Sequence, residues 1–253
     1  MNATVAVIAT YNEAGNIRRL IKKIRSLACE IDVLIVDDNS PDGTGEFADE
    51  LAARLPSIYV LHRVRRDGLA AALWHGFSWS LDRGYRTIIN LDGDLSHNPE
   101  DIPMLLSMAE NADLVIGSRY ANGIRVVNWP PRRLALSLAA AAYVRAITGM
   151  PIQDPTSGFR CFRKEALSWA LREAPISCGY GVHIELLHRI WRAQMRVREV
   201  PIFFTDRVEG STKMNGAIIV EALWVTLRLL MENRFRRSPV AARKLSTGSL
   251  ASV

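Results

Sequence analysis

Two carboxylates stand one residue apart, directly after an apolar run of the sequence. Asp92 and Asp94 flank Gly93, and the run before them covers residues 87–91. Carboxylates at this spacing offer hard oxygen ligands, and Mg²⁺ or Mn²⁺ commonly binds a few of them together with the phosphates of a substrate. The pattern predicts a metal-phosphate site. A turn before a helix start is the structural alternative, and His97 fits a packed loop histidine better than a metal ligand.

A second acidic position follows another apolar run. Asp38 comes after residues 32–36, and Tyr11 follows the first run of the chain, residues 4–10. A carboxylate can accept hydrogen bonds from a ribose or a base edge, and a tyrosine ring can stack on a base. The two residues therefore predict a ligand contact. Turn residues at 41–44 explain the end of this segment, but they leave the carboxylate of Asp38 unexplained.

Basic residues stand at similar places. Arg119 follows the apolar run 113–117, while Arg133 and Ser137 fall in the first turns of an alanine-rich helix predicted over residues 131–149. Guanidinium groups, a hydroxyl and a helix N-terminus together favour phosphate. The group predicts a phosphate site, although a single arginine is more often solvated.

Strands and helices alternate in the first half of the chain. The predicted strands cover residues 4–10, 32–36, 57–62, 87–91 and 113–117, and the predicted helices cover 14–27, 44–55, 70–81 and 100–110. Continuous apolar strands that alternate with helices predict an α/β fold with a parallel sheet covered on both faces. Ligands of such sheets bind beyond the carboxyl ends of the strands, where the acidic residues fall.

The second half is less regular. It predicts a loop at 152–160, further helices at 164–172, 182–194 and 216–231, and one strand at 197–204.

Composition places the chain among ordinary globular proteins. It has 253 residues, 49% of them hydrophobic, and three cysteines without a CxxC pair. This argues against a disulfide framework and against a zinc site, and it fits a reducing compartment. The longest apolar stretches, 134–144 and 217–231, are shorter than the roughly 20 residues of a membrane span. The N-terminus predicts a strand, not a signal peptide.

The net charge of +6 is concentrated at the end of the chain. Five basic residues and no acidic residue follow position 232, which leaves 27 basic against 26 acidic residues before it. We therefore expect a single domain over residues 1–232 and a basic, disordered tail over 233–253. A basic tail suits an anionic membrane or a nucleic acid, but we expect no nucleic-acid partner.

Seven blocks of the sequence, in order, resemble glycosyltransferase family 2, and within it the polyprenol (dolichol) phosphate mannose synthases. They are TYNE, VDDNSPDGT, DGDLSHNPE, GSRYANG, WPPRRLALS, QDPTSGFRCF and FFTDRVEGSTKM, and the resemblance extends over residues 5–228. It implies a single GT-A-type α/β domain with a mostly parallel sheet. It also implies a GDP-mannose donor, a divalent cation (Mg²⁺ or Mn²⁺), a polyprenyl phosphate acceptor and inversion at the sugar.

The resemblance also assigns residues by position. The nucleotide pocket would consist of Ala9, Tyr11, Glu13, Val36 and Asp38. Asp92, Gly93 and Asp94 would hold the diphosphate through the metal, with Ser96 as a third metal contact. Arg207 and Lys213 would close over the donor. The acceptor phosphate would contact Arg119, Arg133 and Ser137, and Asp154 would lie near the reacting sugar.

Some positions depart from the family pattern. Ala9 stands in place of a usual proline, Gly93 in place of alanine and Pro155 in place of leucine, and residues 66–70 replace a Lys-x-Gly-Leu-Gly pattern. These departures bear on nucleotide preference. The same fold with a UDP-glucose or UDP-N-acetylhexosamine donor is therefore one alternative. A non-catalytic subunit that binds nucleotide sugar or membrane is another, against which the intact Asp92 and Asp94 argue.

The last predicted helix bears on how such a chain would meet a lipid. Its apolar residues precede Arg234, Arg236 and Arg237, a combination that suits an interfacial anchor, while a core helix is the alternative. We expect a cytoplasmic protein that contacts the cytoplasmic face of a membrane peripherally. A separate membrane-anchoring subunit is compatible with this expectation.

Overall fold

A seven-stranded sheet forms the centre of the molecule. The computed structural model describes residues 2–206 and 216–235. The strands of the sheet are β1 (Thr4–Thr10), β2 (Asp32–Asp37), β3 (Ile58–His62), β4 (Thr87–Asn90), β5 (Leu114–Ser118), β7 (Arg160–Arg163) and β8 (Val197–Pro201), in the order β3-β2-β1-β4-β7-β5-β8. Only β7 runs antiparallel to its neighbours. A second, two-stranded sheet pairs β6 (Val126–Val127) with β9 (Phe204–Thr205).

Helices cover both faces of the large sheet. They are α1 (Ala14–Arg25), α2 (Thr44–Arg54), α3 (Leu69–Asp82), α4 (Ile102–Ala109), α5 (Pro131–Thr148), α6 (Lys164–Ala170), α7 (Gly181–Arg192) and α8 (Gly216–Phe235), with a 3₁₀ turn at Pro99–Asp101. One core contains residues of α1, α2 and α4, and the other contains residues of α3, α5, α6, α7 and α8. The predicted α/β fold, with a mostly parallel sheet and helices on both faces, is confirmed.

Side-chain alternation explains why the central strands are apolar throughout. Val5 and Val7 of β1 point into one core, whereas Ala6 and Ile8 point into the other. Successive side chains of a strand face opposite sides, so a sheet covered on both faces needs apolar residues at every position.

Two strand predictions were wrong. β7 is not predicted: Arg160 ends the loop predicted at 152–160, and residues 161–163 fall between that loop and the helix predicted at 164–172. Four residues with arginine at both ends carry too little apolar pattern to predict a strand. The strand predicted at 197–204 is interrupted: β8 ends at Pro201, and Phe204 begins β9 in the other sheet. Proline has no N–H for the ladder, which favours a break at this point.

The domain boundary expected at residue 232 falls within the last helix. Helix α8 continues to Phe235, three residues past the domain limit predicted at 232. Residues 236–253, which make up most of the predicted tail, and Arg207 and Lys213 lie outside the described residues. Within the described parts of the chain, every helix is too short or too polar to cross a membrane.

Gly76 sets the distance between α3 and the sheet. A Cβ atom at Gly76 would lie 2.7 Å from Cγ1 of Val7 and 2.9 Å from Cγ2 of Val36. We expect Gly76→Val to lower the free energy of unfolding by about 1–3 kcal/mol, because the added carbons force the helix off two rigid strands. The measurement is urea unfolding followed by circular dichroism. His75→Val, on the exposed side of the same helix, is the control and should cost less than about 1 kcal/mol; equal effects would contradict this packing.

Candidate active site

A cavity of about 510 Å³ opens at the carboxyl ends of β1, β2 and β4. We call it the Asp38 cavity. Seven residues that the sequence assigned to donor binding line it: Ala9, Tyr11, Glu13, Asp38, Asp92, Gly93 and Asp94. Parallel strands bring their carboxyl ends to one edge of the sheet, and this edge is where ligands bind in such folds.

Val36 does not belong to this group. Its side chain is fully buried in the core beneath α3, and it is absent from the residues that line the cavity. It pairs with Ala9 in the ladder between β1 and β2. The Val36 side chain faces the core at this strand position, and the predicted place of Val36 in the nucleotide pocket stays a prediction.

Asp38 carries an ion pair that the sequence analysis missed. Arg63 donates from Nη1 to Asp38, and both side chains are almost fully buried. Burial raises the pKa of Asp38, and the charge of Arg63 only partly opposes this effect. Nearby, the guanidinium of Arg66 lies 4.0 Å from the centre of the Tyr11 ring. Arg63 directly follows strand β3, so its place at the same sheet edge was a signal available in the sequence.

Two of the three predicted metal residues, Asp92 and Asp94, line this cavity, and Ser96 does not. Asp94 accepts two hydrogen bonds from Ser96, one from the backbone N–H at 3.0 Å and one from the hydroxyl at 2.6 Å. In this arrangement Ser96 orients the carboxylate, and its predicted metal contact stays a prediction. Among the described residues, no three His, Cys, Asp or Glu side chains converge on one point. The oxygens of Asp92 and Asp94 fit a cation that takes its other ligands from a substrate or water.

His97 is a packed histidine, as expected. Its ring is 1% exposed and lies between the rings of Phe159 and Phe204, with centres 5.1 and 5.2 Å away. Nδ1 accepts the backbone N–H of Asp92 at 3.2 Å. Burial lowers the pKa of His97, so the ring stays neutral and supports the loop that presents Asp92.

A second cavity, of about 180 Å³, lies beside the first. We call it the Arg133 cavity. The three predicted phosphate contacts, Arg119, Arg133 and Ser137, all line it, and it shares Asp92 and Tyr180 with the Asp38 cavity. The structure therefore brings the two predicted groups of residues together, with Asp92 at their junction.

Arg119 is held by Asp154 in a buried ion pair. Nε and Nη2 of Arg119 donate to the two carboxylate oxygens at 2.7 and 2.6 Å, and the backbone N–H of Arg119 donates to the same carboxylate at 2.9 Å. Burial disfavours the charge of Asp154, but Arg119 outweighs it and holds the pKa below the usual carboxyl range. Asp154 is fully buried, so in this structure it positions the arginine and does not itself reach either cavity.

The other two phosphate candidates are also oriented by neighbours. Arg133 donates to Asp206 at 2.7 Å, and its guanidinium lies 4.2 Å from the centre of the Trp129 ring. The hydroxyl of Tyr120 donates to Ser137 at 2.6 Å. These contacts keep a cation and a hydroxyl at one wall of the Arg133 cavity.

Apolar side chains also line the Arg133 cavity. Leu136 of α5 and Leu223 of α8 line it while remaining 41% and 38% exposed. We call the partly exposed part of the cavity at these two leucines its apolar mouth. A cavity lined both by cations and by partly exposed leucines suits an amphipathic ligand with an anionic head. Isolated leucines are common on protein surfaces, so it is the position of these two at the cavity, not their exposure alone, that indicates an amphipathic ligand.

Several residues that build the site had no signal in the sequence. Glu199 and Glu221 resemble ordinary surface acids, yet both accept hydrogen bonds from loops at the cavities. Tyr180 lies in a loop that contains none of the sequence motifs, and only the fold places it in the lining of both cavities. Arg160, fully buried, donates to the backbone carbonyls of the loop that carries Asp154.

A family model and two curated proteins that match this chain agree with each other. The family model described as Glycosyl transferase family 2 matches residues 5–169. The undecaprenyl-phosphate mannosyltransferase of Micrococcus luteus is 43% identical over 219 residues, which cover 87% of this chain and 90% of that protein. The polyprenol monophosphomannose synthase of Mycolicibacterium smegmatis is 42% identical over 237 residues, which cover 93% and 89%.

A solved structure is similar in fold. The glucosyl-3-phosphoglycerate synthase of Mycobacterium tuberculosis, in complex with Mn²⁺, UDP and phosphoglyceric acid, superposes with a TM-score of 0.67. The match covers 90% of this chain and 78% of that one at 20% sequence identity. At this identity the likeness concerns the fold alone.

The ion pair of Arg119 and Asp154 predicts a large loss of stability when its charge is removed. Asp154→Asn leaves a buried guanidinium without its counter-charge, and we expect the free energy of unfolding to fall by about 3–5 kcal/mol. The control is Asp113→Asn, which removes the partner of the exposed Arg196 and should cost less than about 1 kcal/mol. Urea unfolding at neutral pH measures both; equal losses would contradict the role of burial.

The same pair predicts a pH dependence. A carboxyl whose folded pKa is depressed contributes stability above its unfolded pKa, which is about 4 for aspartate, and loses it as the pH falls through the folded value. The difference in stability between the native chain and Asp154→Asn should therefore shrink below about pH 4. A difference that stays constant down to the acid unfolding transition would contradict this prediction.

Proposed function

The chain belongs to glycosyl transferase family 2 and is a glycosyltransferase; we propose that it transfers mannose from GDP-mannose to a polyprenyl phosphate and inverts the sugar. One observation carries the proposal: an acidic cavity and an arginine-lined cavity with an apolar mouth meet at Asp92. The first would hold a nucleotide sugar and the second a lipid phosphate. The relatives from M. luteus and M. smegmatis are named for mannosyl transfer to such lipids.

The donor would lie in the Asp38 cavity. Asp38 and Tyr11 would contact the base, since a carboxylate accepts N–H bonds and the ring, already stacked with Arg66, offers a flat surface. The Watson–Crick edge of guanine carries two neighbouring N–H donors, whereas uracil carries one. A single carboxylate at this place therefore supports GDP over UDP. Arg207 and Lys213, outside the described residues, stay proposed as groups that close over the donor.

Asp92 and Asp94 would hold the diphosphate through a divalent cation. Their carboxylates form a hard-oxygen pair of the kind Mg²⁺ and Mn²⁺ prefer, and the structurally similar synthase was solved with Mn²⁺ and UDP. Such an ion, when bound, neutralises charge on the leaving diphosphate. Ser96 keeps Asp94 in place, and the neutral His97 supports the backbone of Asp92.

The acceptor phosphate would lie against Arg119, Arg133 and Ser137. A phosphate monoester has a second pKa of about 6 and is mostly a dianion at neutral pH, so it needs no general base. An oxygen of this phosphate attacks the anomeric carbon from the side opposite the diphosphate; a C–O bond forms as the bond to GDP breaks. Direct attack turns an α-linked donor into a β-linked product. The arginines contribute position and charge.

The prenyl chain would leave through the apolar mouth. Helix α8 is buried on one side and exposed on the other, which is compatible with both alternatives, a core helix and an interfacial anchor. Val225 and Leu229 are buried, while the opposite side exposes Val220, Leu223, Trp224, Leu227 and Met231. An exposed apolar helix face at a lipid-binding mouth supports peripheral contact with the cytoplasmic face of a membrane. A separate anchoring subunit stays an open expectation.

A phase-partition assay tests the proposed function. Labelled GDP-mannose, Mg²⁺ or Mn²⁺ and undecaprenyl phosphate are mixed with the purified chain, and label in the organic phase is counted. We expect metal-dependent label that mild acid releases from the lipid. Transfer from UDP-glucose or UDP-N-acetylglucosamine instead would replace the donor. Binding of nucleotide sugar without any transfer would favour the non-catalytic alternative.

Asp94→Asn tests the role of the carboxylate pair. We expect turnover to fall by about 100-fold or more, because the diphosphate loses the charge that stabilises its departure. The matched control is Glu100→Gln, an exposed acid in the same segment, which should leave turnover unchanged. Near-native turnover of Asp94→Asn at saturating metal would rule out the metal mechanism.

Arg133→Ala tests the acceptor site. We expect the KM for the polyprenyl phosphate to rise about 10-fold or more, since charged hydrogen bonds to phosphate are lost, while the KM for GDP-mannose changes less than about twofold. Arg132→Ala removes the exposed neighbour and serves as the control. A similar rise of both KM values in Arg133→Ala would contradict this assignment.

A further inference from the structure

One wall of the Asp38 cavity is a short loop rather than a helix or strand. Residues 178–180, which we call the 178–180 wall, all line the cavity. On one side this wall contacts the start of α3: the carbonyl of Cys178 accepts the backbone N–H of Ala70 at 3.1 Å. A Cβ atom at Gly68 would lie 2.3 Å from that carbonyl oxygen, so the approach requires glycine there.

On its other side the wall is held by a carboxylate of α8. Oε1 of Glu221 accepts the backbone N–H groups of Cys178 and Gly179 at 2.7 and 2.6 Å. A Cβ atom at Gly179 would lie 2.5 Å from Oε2 of the same carboxylate. The wall is thus fixed between two helices, by one backbone bond and by two bonds to a single charged oxygen.

We propose that Glu221 is a positioning residue for the nucleotide sugar, acting through the 178–180 wall; this inference rests on the proposed function. Hydrogen bonds to an ionised carboxylate are stronger than neutral ones, and here they fix the loop that ends in Tyr180 at the junction of the cavities. Without them the wall must be ordered by the donor itself, which lowers donor affinity. Donor binding therefore depends on a residue of α8 that none of the motifs contains.

Glu199 provides a matched carboxylate on the other side of the site. It accepts the backbone N–H groups of Gln153 at 2.7 Å and of Asp154 at 2.8 Å. Because Asp154 holds Arg119, Glu199 acts on the Arg133 cavity in the way that Glu221 acts on the Asp38 cavity. Loss of the Glu221 carboxylate should raise the KM for the donor, and loss of the Glu199 carboxylate should raise the KM for the acceptor.

The experiment measures KM for GDP-mannose and for undecaprenyl phosphate in both variants. In Glu221→Ala we expect the donor KM to rise about 10-fold, with kcat and the acceptor KM within about twofold of native values. Glu199→Ala should show the reverse pattern. Equal rises of both KM values in Glu221→Ala, or no rise in either, would overturn the inference.

Two further variants separate positioning from general damage. Glutamine keeps one carbonyl oxygen that can accept both N–H groups, so Glu221→Gln should restore most of the donor affinity, to within about threefold of native. Gly179→Ala pushes the carboxylate away and should match Glu221→Ala. The double variant should then be no worse than either single one, since both remove the same contact.

The outcomes distinguish this inference from the proposed function. If the native chain transfers no mannose, the proposed function fails, and isothermal titration with GDP compares the native chain with Glu221→Ala. Weaker binding of GDP by Glu221→Ala then supports the positioning role, and equal affinities overturn it. If the native chain transfers mannose and Glu221→Ala keeps its donor KM, only the inference fails. Should Glu221→Ala not fold, Gly179→Ala still decides, because a donor KM within about twofold of the native value in that variant overturns the proposal.

Discussion

The Arg119–Asp154 pair is the interaction on which the second half of the structure depends. A buried charge is tolerated only when it is paired and hydrogen-bonded, and Asp154, fully buried, accepts three bonds from Arg119. The loop that carries Asp154 is held in turn by Glu199 and by Arg160. Burial lowers the pKa of Arg160 to about 9, which leaves it charged at neutral pH. The antiparallel strand β7 begins at Arg160, directly after this loop in the chain.

The polar groups of the site are held in place by hydrogen bonds from neighbouring residues. Asp94 is oriented by Ser96, Ser137 by Tyr120 and Asp92 by the neutral ring of His97. Groups held in advance cost no reorganisation when charge moves between two phosphates. This suits a transfer between phosphate-bearing substrates, in which position and charge stabilisation replace acid and base catalysis.

Helix α8 links the core, both cavities and the surface. Its buried side packs against α7, and its exposed side is apolar. On the same helix, Glu221 lines the Asp38 cavity, and Ala222 and Leu223 line the Arg133 cavity. A helix turns by 100° per residue, so three successive residues reach two neighbouring sites, and one element can serve the donor, the acceptor and the lipid.

The sequence by itself determined the parallel half of the sheet, the placing of Asp38, Asp92 and Asp94 at one edge, and the family. Apolar runs report burial locally, and the carboxyl ends of parallel strands meet at one edge wherever such runs alternate with helices. Only the tertiary structure decided that β7 enters between β4 and β5, that Val36 faces the core, that Asp154 lies behind Arg119, and that Glu221 and Glu199 hold the cavity loops. These features depend on contacts between residues far apart in the chain, and a polar residue that will be buried by such a contact has no local pattern to distinguish it from one that stays in water.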